Sequence, residues 1–237
     1  MKFKAIQEKN WIKSINNNSS GIGLTFENLI EKNQENFELP DYKGIEIKTH
    51  TSSSNAYITL FSSNPDGDYL FEIQRLYNNY GYPDRIKKDM LAFAGNINGK
   101  TAKFVGIKYK FKLRICTNEE KIRLEIYDKN NNFIEDEISW TFDILSEKLY
   151  RKLNTLAFIT ADKRIQNSNY YYKYTQIKFY KLKSFDVFVN LIKNGKIIVS
   201  FSLGTIREGS RTGQMHNHGT AFRILKEDLE LLYDEVQ

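Results

Sequence analysis

The segment Pro40-Asp41-Tyr42-Lys43-Gly44-Ile45-Glu46-Ile47-Lys48-Thr49 constrains this chain more than any other. It reads as a turn feeding a short strand. Side chains alternate faces along a strand, so Glu46 and Lys48 share one face while Ile45 and Ile47 take the other. Asp41 stands in the turn just before. Two carboxylates and one ammonium are thereby gathered on one side of a rigid element. Hydrolysis of a phosphodiester needs such a set: anionic oxygens to hold Mg²⁺, and a cation beside the attacked phosphate. The bare triplet is not specific, because an edge strand with a solvated face of alternating Glu and Lys carries the same letters. The surroundings have to discriminate.

At 237 residues, with 41% hydrophobic and 14% aromatic side chains, the chain is long and apolar enough to bury a core as one large domain or two lobes. The 35 basic and 29 acidic side chains leave a formal charge of +6. That excess permits an anionic partner, and it suits an enzyme whose carboxylates offset part of a basic surface. The single cysteine, Cys116, excludes an internal disulfide and a Cys-rich zinc site, and is expected to be a small buried hydrophobe. The start, Met1-Lys2-Phe3-Lys4, lacks a signal-peptide pattern, and no run reaches the length of a membrane span. A cytoplasmic protein is the expectation.

The spacing predicts an amphipathic segment around Trp11-Ile12 and a polar loop at Asn16-Asn17-Asn18-Ser19-Ser20. Thr25 is expected to cap a helix reaching about Asn33, with Phe26, Leu29 and Ile30 as its buried stripe. Strands follow over 43–50 and 57–61, then a turn at Asn64-Pro65-Asp66-Gly67. Residues 70–93 read as helical or irregular. Two antiparallel strands are expected near 103–116 and 121–128, the first carrying Lys108, Lys110 and Lys112 on one face. That stripe is either a solvated face or a track for phosphates. The second half reads as a helix over 142–152, strands over 155–162 and 172–183, a helix over 184–194 and a strand over 196–202. A polar loop over 204–218 and a final helix over 226–235 complete the chain. No internal repeat or low-complexity linker separates these elements, which argues for an interlocked α/β architecture.

A second constellation lies in Arg207-Glu208-Gly209-Ser210-Arg211-Thr212-Gly213-Gln214-Met215-His216-Asn217-His218-Gly219-Thr220-Ala221-Phe222-Arg223. Arg pairs bidentately with guanine, and Gln or Asn with adenine, so a long loop rich in such donors suits base reading. A solvated loop, or a transition metal on His216 and His218, are the other readings of the same letters. His50, two residues past Lys48, has two roles open to it: contact with the scissile phosphate, or closure of the strand.

Taken together, these pieces resemble the restriction endonucleases of the MvaI/BcnI type, which share a fold with the mismatch-repair nicking enzyme MutH. The resemblance is carried by Gly21-Ile22-Gly23-Leu24-Thr25-Phe26-Glu27-Asn28-Leu29-Ile30, by Pro40 to Lys48, by Thr59-Leu60-Phe61 and by His216-Asn217-His218-Gly219-Thr220-Ala221-Phe222-Arg223. It extends over nearly the whole chain in the order of its elements.

The resemblance implies an α/β, restriction-endonuclease-like fold of the PD-(D/E)xK, MutH-like kind: a central mixed sheet flanked by helices, with two lobes around a DNA cleft. The lobes would be catalytic over about 1–110 and DNA-recognising over about 111–237, interlocked as one structure. Asp41 and Glu46 would bind Mg²⁺, for which Mn²⁺ could substitute, together with the carbonyl of Ile47. Lys48 would activate the attacking water, and Glu27 would be an accessory carboxylate. His216, His218 and Arg223 match the base-reading segment, with Arg207 and Arg211 in the loop before it. The implied protein is a monomeric type II enzyme cutting double-stranded DNA at a short G/C-rich site by two sequential nicks, beside a separately encoded methyltransferase. A strand-specific nickase of the MutH kind and a catalytically inactive DNA-binding module remain open as alternatives.

Overall fold

The computed structural model describes residues 2–30, 41 and 44–236. Pro40, Tyr42 and Lys43 of the turn, and the helix end expected near Asn33, lie outside the described residues. The chain forms two compact units that interleave in sequence. One takes residues 1–56, 148–183 and 229–237; the other takes 57–147 and 184–228. Among the described residues no helix is long and apolar enough to cross a membrane.

The first unit is a mixed sheet with helices. Strand β2 (Glu46–Thr51) runs parallel to β11 (Thr155–Gln166), which pairs antiparallel with the long β12 (Asn169–Leu182). β12 also carries β1 (Ile12–Lys13) and, at its other end, β15 (Tyr233–Val236). Beside it run α1 (Lys2–Glu8) and α2 (Gly21–Leu29). α2 buries Ile22 and Phe26 in a cluster with Ile47, Ala157, Ile159, Ala161, Tyr172 and Tyr174. The Tyr174 hydroxyl donates to the Ile22 carbonyl at 2.8 Å, which anchors the helix to the sheet. Gly21 permits the approach of the preceding loop, since a Cβ there would meet the Asn16 carbonyl oxygen at 2.6 Å.

Thr25 does not cap α2, because the helix begins four residues earlier. It is buried in the second turn, where its hydroxyl accepts the Ile15 N–H at 3.1 Å. The expected final helix is also different. A short 3₁₀ turn and α6 (Leu229–Leu232) lead into β15, whose Tyr233 is an interior residue.

The second unit holds two further sheets. One has the order β10-β8-β7-β6, with β9 on β8; the other has the order β3-β14-β13-β5-β4. The strands are β3 (Tyr57–Ser62), β4 (Tyr82–Pro83), β5 (Leu91–Ile97), β6 (Lys103–Val105), β7 (Tyr109–Cys116), β8 (Lys121–Asp128), β9 (Phe133–Glu135), β10 (Ser139–Thr141), β13 (Ile197–Thr205) and β14 (Met215–Leu225). Helix α3 (Tyr69–Tyr80) is capped by Asp68, and α5 (Phe185–Lys193) by Ser184, each accepting an N–H three residues on. α4 (Phe142–Leu153) and α5 follow their predicted spans closely. The core is aromatic: Phe222 lies 5.2 Å from Phe61, 5.8 Å from Phe188 and 5.9 Å from Trp140, centroid to centroid.

The single strand expected over 103–116 is two strands. Gly106, at φ +69, turns the chain between β6 and β7, and a side chain there would strike the Tyr82 ring. Lys108 therefore stands in a turn. On β7, Lys110 donates to Asn131 at 2.6 Å, and Arg114 pairs with Glu125 at 2.8 Å and with Asp136. Of the three lysines of the expected stripe, Lys110 is thus engaged by a neighbour and Lys108 lies off the strand. Cys116 is buried, as expected of a small hydrophobe.

Candidate active site

β2 carries the acid–base letters because its two faces do different work. Ile47 points into the α2 cluster. Glu46, Lys48 and His50 share the opposite face, in register with Leu156, Phe158 and Thr160 of β11. β2 lies at the edge of its sheet among the described residues. The Asp41 carboxylate accepts the Ile47 N–H at 2.8 Å, which brings it to that open edge. A residue's N–H and C=O point to the same side of a strand, so the Ile47 carbonyl faces the Asp41 side as well.

Glu46 is only 1% exposed. Its Oε1 receives the Lys48 ammonium at 2.5 Å and stands 3.6 Å from that of Lys152, while its Oε2 is buried without a hydrogen-bond partner among the described residues. Burial pushes the Glu46 carboxyl above the ordinary carboxylate range; Lys48 opposes this and the like charge of Asp41 adds to it. Burial also pushes the Tyr233 phenol up, and the charge of Glu46 adds to the effect. That hydroxyl, too, is buried and unpartnered.

Glu27 is half-buried on α2. A Cβ added at Gly23 would stand 3.8 Å from Glu27 Oε1 and 3.3 Å from Thr49 Oγ1. The Glu27 carboxylate and the Thr49 hydroxyl therefore both flank Gly23 of α2. His50 is buried, with Nδ1 2.9 Å from the Thr51 carbonyl and Nε2 3.3 Å from that of Ala56. Both ring nitrogens thus face carbonyls at and just beyond the end of β2.

The segment expected to read bases is not a loop throughout. β14 begins at Met215, so His216, His218 and Arg223 stand on a strand, and the loop is confined to residues 206–214. Pairing with β13 skips a step: Phe201 faces Thr220 but Leu203 faces Asn217, so β14 holds one extra residue. Gly219, at φ +104, takes the bulge, and its N–H donates to Asn217 Oδ1 at 2.7 Å. His216 and Arg223 are seven positions apart, an odd number that would put them on opposite faces. The bulge restores them to one face, that of Gly204, Ser200 and Ala221. The His216 and His218 rings meet edge-on at 4.0 Å.

Arg223 is half-buried, with Nη1 3.5 Å from Ser200 Oγ and a buried Nε that lacks a partner. Arg211 is exposed in the loop. Arg207 is committed elsewhere: its guanidinium binds Asp84 at 2.7 Å, and its carbonyl accepts from Lys87 Nζ at 2.6 Å. The Arg207 hydrogen bond, with two backbone N–H groups, holds the Asp84 carboxyl well below the usual range.

The family model of the MvaI/BcnI restriction endonucleases matches residues 1–233. This chain belongs to the MvaI/BcnI restriction endonuclease family. Among solved structures, it is similar to restriction endonuclease MvaI in complex with cognate DNA substrate, with a TM-score of 0.89 and 31% identity over 99% of this chain and 94% of that one. It is also similar to MvaI in the absence of DNA, with a TM-score of 0.64 and 32% identity over 98% of this chain and 94% of that one. No curated protein matches. The α/β restriction-endonuclease fold expected from the sequence is the fold observed.

The donors of this family member suit a hard divalent cation. Among the described residues no three His, Cys, Asp or Glu side chains cluster as a ready-made metal site. Two carboxylates, with the Asp41 charge raising the proton affinity of Glu46 and one Glu46 oxygen orphaned and buried, fit the pattern of Mg²⁺, which uses few protein ligands and completes its shell with water and phosphate. Lys152 and Tyr233 escaped the sequence reading. Lys152 stands 3.6 Å from Glu46 and Tyr233 feels its charge, both from segments that return after residues 57–147, and nothing in their local sequence marks them. The Asp84 anchor escaped for the same reason.

Proposed function

We propose that this chain is a type II restriction endonuclease that hydrolyses double-stranded DNA with Mg²⁺ in the first compact unit and reads sequence from the second. The observation that carries this is the convergence of Asp41, Glu46 and Lys48 about Ile47 at an open strand edge, in a member of a restriction endonuclease family. Asp41, Glu46 and the Ile47 carbonyl would hold the cation. The cation, when bound, supplies charge neutralisation at the phosphate and a lowered pKa for water.

Lys48 holds the attacking water beside the phosphorus and adds a positive charge there. Its 2.5 Å contact with Glu46 fixes the ammonium. Water adds to phosphorus, the bond to the 3′ oxygen breaks, and a proton goes to that oxygen, leaving 5′-phosphate and 3′-hydroxyl ends. Glu27 serves as an accessory carboxylate from α2. Arg211, His216, His218 and Arg223 read bases, Arg207 orients the loop that carries Arg211, and His50 closes β2 beneath the phosphate. One such set per chain means that a monomer cuts a short G/C-rich site by two sequential nicks.

Lys48→Ala tests the assignment. Cleavage of supercoiled plasmid in Mg²⁺ should fall by at least about a hundredfold, as for loss of a transition-state donor, while binding of the cognate duplex persists. A variant that cuts at the wild-type rate would remove Lys48 from the mechanism. Open circles that precede linear product in the wild-type digest would fit sequential nicking.

A further inference from the structure

Pairing in the β3-β14-β13-β5 region aligns four side chains in a row across the strands. Ser200 stands opposite Ala221 on one side and Asn96 on the other, and Ala221 stands opposite Ser62. Directly paired residues share a face, and strands lie about 4.8 Å apart, so the row runs about 14 Å. Arg223 lies on the same face two residues from Ala221, and the bulge at Gly219 brings His216 to it from the other end. The opposite face of the same strands carries Phe61, Phe93, Phe201 and Phe222 in the core.

A strand face that merely meets water is usually covered by long charged side chains, as Lys110, Lys112 and Arg114 cover β7. This row has none. Ser62 and Asn96 are exposed and, among the described residues, have no side-chain hydrogen bond; Ser200 has only the long contact to Arg223. Short side chains let another molecule approach the sheet closely, and their hydroxyl and amide groups are left for it. Arg223 adds a buried Nε that no protein group satisfies.

Resting on the duplex-DNA reading above, we infer that this row is a base-reading surface, and that Ser200 and Asn96 are specificity-determining residues beside Arg223. The chemistry fits base edges: Asn pairs with adenine, Ser with donors or acceptors, and an alanine methyl makes apolar contact. It does not fit phosphates, which call for the cations this row lacks.

The test is kcat/KM for Ser200→Ala, Asn96→Ala and the double variant. Each is assayed on the duplex the wild type cuts and on duplexes with one base pair changed. Each lost contact should lower cognate kcat/KM about five- to hundredfold and leave the changed duplexes nearly untouched, so discrimination narrows. The slope of affinity against salt should stay as in the wild type. Ser200→Thr, which keeps the hydroxyl, should restore most of the loss, and unchanged melting temperatures exclude misfolding. Wild-type discrimination in the double variant overturns the inference. So does an equal loss on every duplex with a shallower salt slope, which would mark a phosphate contact. If the wild type shows no sequence-specific cutting, the endonuclease reading itself has failed. If it does, and Arg223→Ala erodes specificity while these variants do not, only the row has failed.

Discussion

Glu46→Gln separates an active-site carboxylate from a structural ion-pair hub, because the two predict opposite stabilities. Two ammoniums face one Glu46 oxygen, at 2.5 and 3.6 Å. At an effective dielectric of 20 their attractions are of the order of 7 and 5 kcal/mol before desolvation. Such neighbours should pull the carboxyl's proton affinity down, yet it is raised. Burial and the Asp41 charge together therefore outweigh both lysines, and the charged form is held at a cost. Removing that charge should change stability by no more than about 1 kcal/mol, or about 2–4 °C in melting temperature for a chain of this size. A structural hub behaves otherwise: deleting one partner of a buried pair costs about 3–5 kcal/mol, a fall of about 6–20 °C. The pH dependence has a definite sign. A carboxyl whose folded pKa is raised contributes stability below its unfolded pKa, near 4.3, that is lost as pH rises through the folded value. Wild-type stability relative to the Gln variant should therefore decline over that window in metal-free buffer. Activity should fall at least about a hundredfold. Calorimetric melts from pH 4 to 8 with EDTA, beside plasmid cleavage at neutral pH, read both. A melting temperature lowered by 10 °C or more at neutral pH would refute the reasoning, since lost activity would then follow from lost structure.

Asp84→Asn should free Arg207 and loosen residues 206–214, and hydrogen exchange at the Ile206, Gly213 and Gln214 amides should quicken. Because the Asp84 carboxyl is held low, its contribution is present above about pH 4 and lost as pH falls below it, so the melting temperatures of wild type and variant should converge in acid. Phe222→Ala removes a fully buried ring from contact with Phe61, Phe188 and Trp140, and denaturant unfolding should show a loss of about 3–5 kcal/mol. Phe222→Leu should lose less than half of that.

Where function and folding asked the same thing of a segment, the sequence was readable. α5 shows this: Ser184 caps it, and Phe188 and Ile192 fall on one buried stripe. β2 was equally plain, because alternation sorted Ile47 to the core and Glu46 with Lys48 to the other face. Reading failed where one residue changed the geometry. Gly106 turned one expected strand into a hairpin, and Gly219 moved His216 to the face of Arg223. It also failed where a polar face imitated a loop. β14 from Met215 to Thr220 holds histidines, asparagine, glycine and threonine, which lack the apolar alternation of a half-buried strand. Tyr233 was placed on a helix because Leu229 and Leu232 precede it at helical spacing. The interleaving of the two units had no local signal at all. The parallel pairing of β2 with β11 forms only after the whole of 57–147 has been set aside.

The two proposed sites occupy different parts of their sheets for a physical reason. A cation site that draws on a backbone carbonyl needs a strand edge, since an inner strand spends its carbonyls on the ladder. β2 has such an edge, and Asp41 takes up the Ile47 N–H there, so the edge is not left open for another strand to pair with. Base reading needs side chains held at fixed spacings, and inner strands supply them, being fixed on both flanks. β13 and β14 are inner strands, and Ser200, Ala221 and Arg223 stand on them. Gly219→Val would exploit this difference. A branched side chain is strained at φ +104, so the bulge is disfavoured, and without it the seven positions from His216 to Arg223 would turn Met215 through His218 to the opposite face. Sequence discrimination should collapse while the first unit, its Asp41, Glu46 and Lys48 untouched, still nicks DNA without preference. If discrimination survived the substitution, the bulge would have no part in presenting His216, and the loop before it would have to do the reading alone.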